Sequence, residues 1–62
     1  MFSMNDKVII LKTGIAGTVV DVSTDGGVIQ YIVESDIPNV SGGYGGKWAL
    51  FDCRAEDLAR SV

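Results

Sequence analysis

Few residues in this chain carry chemical potential. Cys53 stands beside Arg54, at the start of a stretch rich in helix formers. A thiol at a helix N-terminus next to a cation can ionise and attack. Attack also needs a base, and the sequence holds no histidine, so neither a Cys-His nor a Ser-His pair can be assembled. A buried, inert cysteine is therefore the expectation. Carboxylates pair at Glu34/Asp36 and Glu56/Asp57. The second pair falls between Arg54 and Arg60, the pattern of a solvated charged turn. Asp21 and Asp25 flank a turn, and turn chemistry accounts for them. A single cysteine without histidine excludes an internal disulfide and the common zinc sites. No catalytic residue, metal ligand or cofactor is expected.

The glycine motifs point to turns. Ser41-Gly42-Gly43-Tyr44-Gly45-Gly46 lacks the spacing and the terminal Lys-Ser/Thr of a phosphate loop, and no helix follows it. Gly14-x-x-Gly17 is too short for a dinucleotide fingerprint. The longer tract is expected to be mobile. Tyr44 inside it is a natural recognition anchor, or else a ring folded back over the end of the core. Trp48 belongs either to a ligand groove or to the core. With Tyr31 these aromatics form the expected ligand- or partner-binding set.

The elements that must position these residues are strands. Valine and isoleucine together number 14, leucine only 3. Such β-branched excess favours pleated structure. Apolar runs at Val8–Leu11, Thr18–Val22, Val28–Val33 and Trp48–Phe51 have strand length and glycine or polar boundaries. Ser23-Thr24-Asp25-Gly26-Gly27 reads as a hairpin turn. Thr18-Val19-Val20-Asp21-Val22 is compatible with a bulge that flips the inward-facing set midway. After Phe51 comes one helical or 3₁₀ turn, with Asp52 as its N-cap, and then a short strand near Leu58–Val62. The expected fold is all-β: a single domain over residues 1–62, forming a small five-stranded barrel with one short turn of helix before the last strand.

Sixty-two residues bury a modest core, and small domains often add stability by association. Strand alternation supports that route here. Whichever face of each strand points inward, large apolar groups remain outside, and Ile9, Leu11, Val28, Ile32 and Phe51 are the expected oligomer interface. A homo-oligomer, dimer or tetramer, is the expectation. The net charge of −3 and the scatter of Lys7, Lys12, Lys47, Arg54 and Arg60 disfavour nucleic acid, whose affinity comes mainly from neutralised phosphates. Neither a basic amphipathic helix nor a transmembrane stretch is present, so no membrane partner is expected. Met1 to Asp6 lacks the positive start of a signal peptide. With one unpaired thiol, this points to the cytoplasm.

Two family resemblances run through these elements. Asp6-Lys7-Val8-Ile9-Ile10 and Gly14-Ile15-Ala16-Gly17-Thr18-Val19-Val20 resemble the opening of SH3-like barrels of the KOW kind. Trp48-Ala49-Leu50-Phe51 followed by Glu56-Asp57-Leu58 is similar to the way those barrels close. Lys12-Thr13-Gly14, Gly17-Thr18-Val19-Val20 and Tyr31-Ile32-Val33-Glu34-Ser35 resemble the plasmid-type (type II) dihydrofolate reductases, tetramers with one central pore. That family lines its pore with Val-Gln-Ile-Tyr, where this chain has Trp48-Ala49-Leu50-Phe51, so no catalytic residue carries over. The first resemblance implies the barrel and the second implies assembly. The expected function is a non-enzymatic interaction module that binds a protein or small molecule through the glycine-rich loop and adjacent aromatics. The alternatives are a reductase-like ligand-binding pore and a KOW-like nucleic-acid contact. The small size and lack of catalytic groups fit an accessory protein, such as one from a mobile element or phage.

Overall fold

A computed structural model describes residues 1–61, so Val62, the expected end of the last strand, lies outside the described residues. The Val/Ile-rich runs form β1 (Lys7–Ile10), β2 (Ile15–Asp25), β3 (Val28–Ser35), β4 (Leu50–Cys53) and β5 (Leu58–Arg60), with a 3₁₀ turn over Ala55–Asp57 before β5. Every neighbouring pair is antiparallel, and the strands make one sheet in the order β4-β3-β2-β1-β5. This is the expected all-β architecture, with its single turn of helix in the expected place.

One face of the sheet supplies the main core cluster. Val8, Ile10, Val19, Tyr31, Val33, Cys53 and Leu58 form one buried cluster, drawn from all five strands. The two edge strands thus reach the same core, which requires the sheet to curl. Only Arg54–Asp57 separates β4 from β5, and the Leu11 N–H donates to the Asp57 carbonyl at 2.9 Å, fastening that turn to the end of β1.

The bulge lies where the sequence allows it. Val19 pairs with Val33 and Asp21 with Ile32, leaving Val20 as the extra residue. Val19 faces the core before it, and Val22 lies opposite buried Tyr31 after it, so the inward parity flips. Past the bulge β2 is exposed along its length, and the β2–β3 hairpin runs beyond the core. Its turn is tighter than the expected Ser23–Gly27 loop. Asp25 pairs with Val28 around Gly26 and Gly27, whose φ values of 58° and 82° suit a two-residue turn. Backbone pairing, not apolar character, draws Ser23, Thr24 and Asp25 into the strand.

The fourth strand starts later than expected. Its ladder with β3 runs from Leu50 opposite Glu34 to Cys53 opposite Tyr31, so Trp48 precedes the strand. Asp52 is a strand residue and not an N-cap. Pairing with β3 holds Asp52 and Cys53 extended, and the cap shifts downstream: the Arg54 N–H donates to Asp57 Oδ2 at 3.0 Å.

Residues 1–6 strap the curled sheet. The Asn5 N–H donates to the Val19 carbonyl at 2.7 Å, and the Val19 N–H to the Asp6 carbonyl at 2.9 Å. Phe2 meets Tyr31 edge to face, with ring centroids 5.6 Å apart, and its N–H donates to the Tyr31 hydroxyl at 3.2 Å. Arg60 closes the strap by donating to Asp6 Oδ2 at 3.0 Å and to the Met1 carbonyl at 2.9 Å. No helix among the described residues is long and apolar enough to cross a membrane.

Candidate functional site

β4 is an edge strand, and a cleft of about 530 Å³ runs along its free side. Residues from both faces of β4 line it: Leu50 and Asp52 from one, Phe51 and Cys53 from the other. Ile10 continues the apolar floor, while Lys12 and Thr13 from the β1–β2 turn and Asp57 from the 3₁₀ turn stand on the rim. The volume falls within the roughly 300–1,000 Å³ range of ligand sites.

The glycine-rich loop forms the facing wall. Backbone hydrogen bonds tie it to the sheet. The Tyr44 N–H donates to the Leu50 carbonyl at 3.0 Å, and the Leu50 N–H to the Tyr44 carbonyl at 2.7 Å. The Asn39 N–H also donates to the Lys47 carbonyl at 2.7 Å, closing the loop at its base. Gly43 is needed for this approach. A Cβ there would lie 2.7 Å from the Leu50 carbonyl oxygen and 3.0 Å from Phe51 Cζ. A glycine run reads as flexible in sequence; here it lets backbone pack on an edge strand.

Tyr44 is 49% exposed, and its hydroxyl donates to Asp52 Oδ1 at 2.8 Å. The ring is thus held at the cleft by a side-chain hydrogen bond and lies outside the core cluster. That hydrogen bond raises the phenol pKa above its ordinary value, because a phenolate would face the carboxylate. Trp48, 44% exposed, lies elsewhere. It overlooks a shallower depression on the outer face, near Lys7, Thr18, Glu34 and Asp36. The polar groups there engage each other, with Lys7 Nζ and Thr18 Oγ1 2.8 Å apart and Thr18 Oγ1 and Asp36 Oδ1 2.8 Å apart. Tyr31 is 0% exposed at the centre of the core, so the contact with a partner expected of it is corrected to a packing role. The structure does not bring the three aromatics together.

The residues expected at an oligomer interface divide in the same way. Ile9 faces outward, opposite Ala16 and Ala59, and makes a three-strand apolar strip. Leu11, 58% exposed, follows it in the turn. Ile32 and Val28 lie on the outer side of β3, and the row Lys7–Thr18–Glu34 separates them from the strip. Ile32 itself sits between Asp21 and Asp52. Phe51 points the other way: it pairs with inward Val33 and packs on the core cluster. The expected patch is therefore not contiguous, because strand pairing interleaves its members with polar neighbours.

Cys53 is buried at the cleft floor, as an inert thiol should be. Burial above all, and then the charges of Asp57 and Asp52, raise its pKa, the direction opposite to activation. Sequence reasoning missed Asp52 and Asp57 as a pair. They are five positions apart, and only the 3₁₀ turn brings both to one rim. No protein-family model, curated protein or solved structure matches the chain.

Proposed function

We propose that the chain is a non-enzymatic interaction module, built as a small SH3-like barrel, that acts as a homo-oligomer and takes a protein or small ligand in the cleft along β4. The observation that carries this reading is the cleft itself: an apolar floor of Ile10, Phe51 and Leu50 under a fixed rim of Tyr44, Asp52 and Asp57. Apolar floors with a few placed polar groups are the usual make-up of ligand sites. Self-association is supported by the outward strip of Ile9, Ala16 and Ala59 with exposed Leu11 beside it. A cytoplasmic setting is in keeping with the single unpaired thiol.

Light scattering at low micromolar concentration tests the assembly. The wild type is expected at a multiple of the chain mass, with Ile9→Thr shifted towards the single-chain mass while its circular dichroism is unchanged. A wild type that runs as one chain overturns the oligomer. Titration with folate and a nicotinamide dinucleotide tests the non-enzymatic reading. No saturable binding is expected, and joint binding of both at one site per tetramer would replace this reading with the reductase-like pore.

A further inference from the structure

The cleft contains an unused backbone edge. Both the N–H and the carbonyl of Leu50 bond to Tyr44, so at that residue the β4 backbone faces away from β3. Backbone direction alternates along an antiparallel strand, so Phe51 and Cys53 turn their polar groups towards β3, and Asp52 turns its N–H and carbonyl towards the free edge. Tyr44 covers the edge at Leu50 and goes no further, since Tyr44–Leu50 is an isolated bridge. An open N–H and carbonyl on a sheet edge form a template for an added strand.

The side chains around this edge specify what would be added. The carboxylates of Asp52 and Asp57 both line the cleft, and neither belongs to an ion pair: among the described residues the ion pairs are Lys7–Asp36 and Arg60–Asp6. Each carboxylate accepts one hydrogen bond through one oxygen, from Tyr44 Oη at Asp52 Oδ1 and from the Arg54 N–H at Asp57 Oδ2. Asp52 Oδ2 and Asp57 Oδ1 are left for a ligand. Leu50 and Phe51 add apolar surface to the same cleft, suited to the methylene stem of a long cationic side chain. Lys12 is the one cation on the rim, and the chain as a whole carries a net charge of −3.

We propose that the cleft takes an extended basic segment of a partner protein, which pairs with the backbone of Asp52 as a short added strand and directs an arginine or lysine side chain to the carboxylates that line the cleft, Asp52 and Asp57. This rests on the reading of the cleft as a binding site and names the occupant. Main-chain pairing supplies part of the affinity in such strand addition, and side-chain pockets supply the choice of partner.

The test is an amide-resonance titration of the full chain with three end-blocked pentapeptides: Thr-Val-Arg-Val-Thr and its Glu-centred and Gln-centred equivalents. The Arg peptide is expected to shift the amides of Asp52, Phe51 and Thr13 and to slow exchange of the Asp52 N–H. Its binding should weaken in high salt and fall about two- to fivefold in Asp52→Asn and in Asp57→Asn, the worth of a partly exposed ion pair. Both variants keep their hydrogen-bond acceptors. Lys12→Ala, which touches no hydrogen bond, is expected to bind the Arg peptide more tightly. Equal binding of the Glu peptide, or shifts confined to residues outside the cleft, overturns the proposal and leaves a binding module of another specificity. Absence of shifts with all three peptides removes both the proposal and the cleft reading.

Discussion

Tyr44 Oη and Asp52 Oδ1 lie 2.8 Å apart, joining the glycine-rich loop to the edge strand it covers. The bond adds a side-chain link beside the Tyr44–Leu50 backbone pair, so the rim of the cleft is held at two points. It also ties the protonation of the phenol to the position of the loop.

Tyr44 is expected to titrate above its ordinary value of 10.0. A raised folded-state pKa means that the contribution to stability is complete below the unfolded value and is lost as pH rises through the folded one. Tyr44→Phe should therefore be less stable than wild type at neutral pH, and the gap should close in strongly alkaline solution. Tyrosinate absorbance, taken as wild type minus Tyr44→Phe, measures the shift directly; an unshifted curve would show that the bond does not form in solution.

Asp6 behaves in the opposite sense. The Ser3 N–H donates to its carboxylate, and Arg60 adds a hydrogen bond and a charge, so its pKa is held below 3.8. A depressed carboxylate stabilises the fold above the unfolded pKa and ceases to do so as pH falls through the folded one. Asp6→Asn should lose stability at neutral pH, with the difference from wild type shrinking as pH drops below 3.8. Melting temperature against pH for the two proteins is the measurement. A gap that stays constant into acid would contradict this account of the strap.

Gly43→Ala is expected to cost about 1–3 kcal/mol, the usual penalty of overpacking, because the new methyl would lie 2.7 Å from the Leu50 carbonyl oxygen. Gly46→Ala, with no atom within 4 Å and no positive φ, should stay within about 0.5 kcal/mol of wild type. Urea denaturation of the pair distinguishes a loop packed on β4 from a loose one, in which the two substitutions would behave alike.

Phe2→Ala should destabilise by about 1–3 kcal/mol, since a half-buried ring and an edge-to-face pair with Tyr31 are both lost. The same variant exposes Tyr31, so solvent access to its fluorescence or proton exchange should rise. An unchanged denaturation midpoint would show that residues 1–6 do not strap the core.

Much of the fold was legible in the residues themselves. The Val/Ile runs marked where most strands form, Ser23–Gly27 marked the hairpin whose turn is Gly26-Gly27, and Thr18–Val22 was compatible with the bulge found at Val20. These are local matters, settled by backbone preference and the chemistry of a few neighbouring side chains. Side-chain direction was less legible, because a one-residue difference in register exchanges the faces of a strand. Phe51 reads as outward or inward with equal ease until its pairing with Val33 is known. Tyr31 and Tyr44 are the same residue type, yet one fills the core and the other stands at the surface.

The cleft belongs wholly to tertiary structure. Sequence alone determined an acidic, all-β, histidine-free chain with one thiol and a glycine tract, and so excluded the common nucleophilic and zinc chemistries. Only the curl of the sheet decided that Asp52, Asp57 and Phe51 line one cleft, and that the glycine tract packs on β4. Strand-forming tendency is written residue by residue, whereas the meeting of a loop, an edge strand and a 3₁₀ turn depends on burying one common core.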